Sequence, residues 1–257
     1  MIGVAGGSYE LGEDDADWLI PSPSNSWRSE YPGLDLLGLT TMPLVTVQIP
    51  GFCMDRFPFP GLEGEAWPAD GLNFDTVALL DQQLSSYGRR ACTISELLLA
   101  AAGPENWRFP YDPAERLPGL CEEDDFNPGP IGRLASCVSP LGFRDFLVRS
   151  TWARLDPALA SALGPFGMPI FPPWEGATFA GSQSYAVYGG TSREGTFYSH
   201  SNFGLHSHTD SVELFLDDGF RVCAAPGLPD PAVEVAWQEF RDEFLLVGSY
   251  QYWLGLE

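Results

Sequence analysis

The stretch Thr93-Ile94-Ser95-Glu96-Leu97-Leu98-Leu99-Ala100-Ala101-Ala102-Gly103-Pro104 sets the frame for everything around it. Thr93 stands three residues before Glu96, the spacing of a capping box. The Thr93 side chain accepts from the Glu96 amide while the Glu96 carboxylate reaches back to the start of the helix. The residues that follow are apolar nearly all round, so this helix is expected to be buried. Gly103-Pro104 ends it, since neither residue continues a helix.

Working outward, residues Phe74 to Tyr87 carry Val77, Leu80, Leu84 and Tyr87 at helical spacing, with Gly88 as the stop. A third helix is expected near Phe143 to Ala162. Strand signals are Leu44-Val45-Thr46-Val47-Gln48-Ile49, Tyr185-Ala186-Val187-Tyr188 and Gly219-Phe220-Arg221-Val222-Cys223, β-branched or aromatic runs bounded by Gly and Pro. After Pro229, Asp230-Pro231 opens a tail helix with Val233, Trp237, Phe240 and Phe244 on one face. Gly (28) and Pro (23) together break the chain into short elements. The expected fold class is α+β, loop-rich, with few short strands and two to three helices.

Length favours one large domain: 257 residues, 44% of them apolar, are enough for a packed core. Residues 1–225 are read as that domain. Residues 226–257 are an aromatic tail that packs on it or docks a partner. All 13 basic residues are Arg, against 35 acidic residues, for a net charge of −22. Such a surface repels nucleic acid and anionic membranes, so neither is an expected partner. No apolar run approaches the ~20 residues that span a bilayer, and the first residues lack the basic and apolar regions of a signal peptide. The five cysteines, Cys53, Cys92, Cys121, Cys137 and Cys223, are widely spaced and odd in number. At least one thiol must stay unpaired within the chain, and reduced thiols in the cytoplasm are the expectation.

Several segments, in order, resemble the formylglycine-generating enzyme or sulfatase-modifying-factor family, which has an elaborated C-type-lectin-like fold. Gly6-Gly7-Ser8-Tyr9-Glu10-Leu11-Gly12 is similar to the family's GG-(T/S)-F-x-M-G opening. Phe52-Cys53-Met54-Asp55-Arg56-Phe57 resembles F-x-I-D-R-Y, and Gly88-Arg89-Arg90-Ala91-Cys92-Thr93-Ile94-Ser95-Glu96-Leu97 resembles G-x-R-L-(P/C)-T-E-A-E-W. Phe109-Pro110-Tyr111, Tyr188-Gly189-Gly190-Thr191 and Asp218-Gly219-Phe220-Arg221-Val222 complete the series over most of residues 1–225. In this frame Gly189 and Gly190 form a turn that side chains would block. Arg221 is expected to pair structurally with a carboxylate, Asp55 or Glu96.

The departures carry the functional reading. Members of that family with formylglycine-generating activity hold copper with a cysteine pair just after the R-G-G-S turn. The equivalent residues 192–202 here contain no Cys, and neither Ser nor Glu replaces a thiolate on a soft ion. Formylglycine generation is therefore not expected. The meeting of two thiols in that groove, Cys223 with a neighbour for instance, would overturn this. Gly142-Phe143-Arg144-Asp145-Phe146-Leu147-Val148-Arg149-Ser150-Thr151-Trp152 is similar to the family's calcium-holding segment, yet Val148-Arg149 replaces its Gly-Asn pair. Lost oxygen donors and a gained cation argue against calcium there.

All three histidines, His200, His206 and His208, fall in the stretch corresponding to the family's active groove. On a strand, residues 206 and 208 share a face, so two imidazoles could meet one metal with His200 as a third and Asp210 nearby. Iron, copper and zinc are the candidate ions. The simpler reading is a polar recognition surface, with Arg193, Tyr198, Asn202, His206 and Asp210 as binding residues. A Ser199-His206-Asp210 or Cys223-His nucleophile lacks the surrounding motif. Trp67, Trp107, Trp152 and Trp174 are read as packing residues.

Two functional classes follow. One is a catalytically divergent scaffold that recognises a neutral or basic protein or small molecule through residues 190–210. The other is a metal-dependent iron or copper oxidoreductase built on the histidines in the same groove.

Overall fold

Nine consecutive buried residues, Ile94–Ala102, form the helix at the centre of the larger core cluster. Its Thr93 cap forms as the sequence requires: the Thr93 hydroxyl accepts from the Glu96 amide at 3.3 Å, and Glu96 Oε2 accepts from the Thr93 amide at 2.8 Å. Gly103 closes it with φ 70°, its N–H donating to the Leu99 carbonyl at 2.8 Å.

The computed structural model describes residues 1–12, 44–61, 74–107, 111, 131–132, 135–145, 150–154, 157–163, 185–188, 218–227 and 230–247. In chain order the elements are β1 (Ile2–Val4), β2 (Gly7–Leu11), β3 (Val45–Ile49), β4 (Phe52–Met54), α1 (Phe74–Ser85), β5 (Arg89–Ala91), α2 (Ile94–Ala102), β6 (Ser150–Arg154), α3 (Pro157–Leu163), β7 (Tyr185–Tyr188), β8 (Asp218–Phe220), β9 (Val222–Ala224) and α4 (Pro231–Val247). The architecture is mixed α and β, with short strands and, among the described residues, four helices. None of these helices is long and apolar enough to cross a membrane.

Three sheets result. An antiparallel four-stranded sheet runs β1-β4-β9-β5, β2 pairs β3 antiparallel, and β6 lies between β7 and β8. β3 alternates strictly, with Val45, Val47 and Ile49 buried against α2 and Thr46 and Gln48 exposed, the period-two pattern of a half-buried strand. A second cluster gathers Phe59, Val77, Leu80, Leu84, Ala91, Val222, Trp237 and Phe240, joining α1 and α4 to β5 and β9.

Three expectations change. The helix expected across Phe143 to Ala162 is confined to Pro157–Leu163, because Ser150–Arg154 enters a sheet instead. Its start follows from Pro157, whose fixed φ and missing N–H suit a first helical turn. Upstream, Phe143 N–H bonds the Ser139 hydroxyl, Val138 bridges Arg144, and Asp145 adopts φ 58°, so no helix can form there. The run Gly219–Cys223 is two strands parted at Arg221: β8 joins β6, whereas β9 joins β4 and β5. α1 ends at Ser85 in place of Tyr87, whose amide turns back to the Leu84 carbonyl. The Tyr87 ring still packs on Trp237 and Phe240, at 5.8 and 5.2 Å between centroids.

The tail helix starts where Asp230-Pro231 indicated. The Asp230 carboxylate accepts from the Ala232 amide at 2.8 Å, and Trp237 and Phe240 are buried on the second cluster. The Phe244 side chain lies outside the described residues.

Candidate functional site

β6 fixes the geometry from which the candidate surface departs. β7 runs antiparallel to β6 and ends with Tyr188 opposite Thr151. β8 runs parallel to β6 and begins with Asp218 opposite Ser150. Residues 189–217 therefore leave and re-enter at the same end of one sheet, on strands two spacings apart, about 10 Å. Gly189, Gly190, Arg193, Tyr198, His200, Asn202, His206, His208 and Asp210 all belong to that connection and lie outside the described residues. The three-histidine arrangement and the binding surface are therefore not placed.

Arg221, set between the two sheets, is fully buried. Its guanidinium donates to the carbonyls of Arg56 and Arg144, and Arg56 O also accepts from the Arg144 amide at 2.9 Å. Of the two carboxylates expected as its partners, Asp55 and Glu96, neither is found on Arg221 among the described residues. Glu96 is engaged by Arg90, with Nη1–Oε2 at 2.7 Å and Nη2–Oε1 at 2.5 Å. The capping box explains that choice, since it folds the Glu96 carboxylate back over Thr93, toward β5, of which Arg90 is the middle residue. The sequence carried the signal in the Arg90-Ala91-Cys92-Thr93 run leading into the cap. Asp81 does similar work from α1, accepting the Ala91 amide at 2.6 Å and Arg154 Nε at 2.6 Å.

Asp55 is the exception. It closes β4, its amide donating to the Val222 carbonyl at 3.0 Å, and its side chain is buried. Oδ2 has no hydrogen-bond partner among the described residues. The oxygen lies over Gly61, where a Cβ would come within 3.0 Å of it and 3.3 Å of Arg241 Nη1; with φ at +85°, the position requires glycine. Burial pushes the Asp55 carboxyl up to about 6; the charges of Arg241, the Met1 amine and Arg89 pull the other way, and Glu234 adds to the rise. α4 supplies two of these four neighbours, Arg241 and Glu234. Trp237 lies beneath the guanidiniums of Arg89 and Arg241, at 4.6 and 5.5 Å from its ring, and Glu234 pairs with Arg89 at 2.6 Å.

The cysteines depart from the reduced state expected. Cys92 and Cys223 form a disulfide across 131 residues of sequence, both fully buried. Cys137 is also disulfide-bonded, and Cys53 is a free, half-buried thiol. Proximity decided this: Cys92 follows β5 directly, its amide bonds Arg221 O, and Cys223 stands opposite Arg90 on β9. Cys223 has thus met another thiol, but as an oxidised core pair, which removes it as a nucleophile. Its place in the core is known, whereas residues 192–202 are not described. The Cys92 and Cys223 sulfurs and a Glu96 carboxylate oxygen lie within 4.8 Å of one another.

In the segment similar to a calcium-holding one, Asp145 Oδ2 accepts from the Gly132 amide at 2.7 Å. Val148 and Arg149 lie outside the described residues. No protein-family model matches the chain, and no curated protein matches it.

Proposed function

We propose that this chain is a divergent relative of the formylglycine-generating enzymes, with their elaborated C-type-lectin-like fold, that binds a ligand through residues 190–210 and does not oxidise cysteine. One observation carries the reading: Tyr188 and Asp218 anchor the two ends of that connection on neighbours of one strand. Long segments anchored on a rigid scaffold are where proteins commonly place recognition. The described framework supports the same view. Asp81 and Arg221 are each held by structural hydrogen bonds within that framework. The absence of Cys from residues 192–202 supports the loss of copper-dependent oxidation.

With a net charge of −22, a neutral or basic protein or small molecule is the favoured ligand. Three disulfide-bonded cysteines, Cys92, Cys137 and Cys223, support an oxidising compartment over the cytoplasm expected from sequence. Binding is tested with immobilised full chain against basic peptides and neutral oligosaccharides. A Tyr198→Ala/Asn202→Ala/His206→Ala variant that keeps its melting temperature should lose at least tenfold in affinity for whichever probe binds. Unchanged affinity removes the proposal. Iron or copper retained by freshly purified oxidised protein, and lost on changing His200, His206 and His208 to Ala, would favour the oxidoreductase instead.

A further inference from the structure

The disulfide lies beside a carboxylate that is already oriented. Cys92 follows β5, Cys223 is the middle residue of β9, and Glu96 stands in the first turn of α2, so three elements converge on one buried point. Glu96 is fixed from behind by both terminal nitrogens of Arg90 and by the Thr93 amide. Carboxylates that ligate metals are held in this way, their remaining lone pairs oriented by outer hydrogen bonds.

Charge supplies a second, independent constraint. In the oxidised form the charged groups of the site itself are the buried Glu96 carboxylate and the half-buried Arg90 guanidinium paired with it, which cancel. Reduction by a dithiol delivers two electrons and two protons: the S–S bond breaks, two thiols form, and the reductant closes to its own disulfide. A divalent cation that then binds displaces both thiol protons to solvent. Two thiolates, the Glu96 carboxylate, the Arg90 guanidinium and the divalent ion again sum to zero. A monovalent ion would leave one negative charge uncompensated where every ligand is buried, and burying an unpaired charge is costly. Two sulfurs and one oxygen are donors for a borderline-soft ion of the zinc class, with a small donor such as water completing a tetrahedron.

We propose that Cys92, Cys223 and Glu96 are alternative partners of one redox-governed site: a disulfide under oxidising conditions, and a divalent zinc-class ion site under reducing ones. Arg90 balances the charge in both. Its ligands are Cys92, Glu96 and Cys223, and none of the histidines of residues 190–210 is called on.

Cobalt(II) is the probe, added to full-length protein that has been reduced with dithiothreitol and desalted without oxygen. One equivalent should produce sulfur-to-cobalt charge-transfer absorption in the near ultraviolet, and zinc should bleach it. Oxidised wild-type protein should show no such band, because imidazole-bound cobalt lacks it. The band should vanish in Cys92→Ala and in Cys223→Ala, and persist in Cys53→Ser and Cys137→Ser. Glu96→Gln should weaken cobalt affinity at least tenfold. Absence of the band from reduced wild-type protein overturns the proposal, as does its survival in Cys223→Ala. Circular dichroism of the same samples guards against unfolding: a reduced wild-type chain that has lost its fold and does not regain it with cobalt also overturns the site.

Discussion

Replacing Asp55 with Asn should stabilise the protein, and more so as pH rises. Asp55 titrates at about 6 in the folded chain against 3.8 for an ordinary aspartate. A carboxyl whose folded value is raised contributes stability that is full below the unfolded value and is lost as pH climbs through the folded one. At pH 8 both states are ionised, and folding carries the whole difference, about 3 kcal/mol at 1.36 kcal/mol per pH unit. At pH 4 the folded group is protonated and the unfolded group only partly ionised, which leaves a small penalty, well under about 1 kcal/mol, by the same linkage. Asn has nearly the same shape and no charge, so Asp55→Asn should gain about 3 kcal/mol at pH 8 and well under 1 kcal/mol at pH 4. These figures already include the attraction of Arg241 and Arg89, because that attraction is part of the folded titration. Urea unfolding of both proteins at the two pH values, with disulfides intact, measures the difference. The comparison with wild type matters because the chain carries 35 acidic residues, many of which also titrate in this range. A variant less stable than wild type at pH 8, or one with equal gains at both pH values, would refute the burial argument.

Two further substitutions test the framework. Asp81→Ala should cost about 3 kcal/mol in urea unfolding, because it strands the Ala91 amide and removes the partner of Arg154, whose own side chain is 37% exposed and so recovers part of its solvation. Gly103→Ala should cost about 1–3 kcal/mol in the same assay, since φ is +70° and the new Cβ would meet Pro140 Cβ at 2.8 Å; an unchanged midpoint would mean that the helix end is not closed as described.

Legibility followed the range of the interaction. The Thr93–Glu96 box, the Gly103 stop and the Asp230-Pro231 start depend on neighbours within four residues, and each formed where the sequence put it. β1, β4, β5, β8 and β9 are three residues each, too short for a period of two to stand out. The helix expected from Phe143 failed because apolar spacing there competes with a turn at Gly142-Phe143 and with strand pairing that only β7 and β8 reveal. The candidate binding residues were named from sequence, and the structure adds the anchoring of their segment at Tyr188 and Asp218.

Local chemistry in the sequence settled the buried helix, its caps, the tail helix with its aromatic stripe, the acidic charge and the missing cysteines of residues 192–202. Tertiary structure alone settled the partners of distant groups: Cys92 with Cys223, Arg221 with two carbonyls, and Asp55 enclosed by a helix that begins at Pro231. Hydrogen bonds within a turn are specified by the spacing of a few residues. Which carboxylate is desolvated, and which sulfurs touch, depends on how strands far apart in sequence are brought into register.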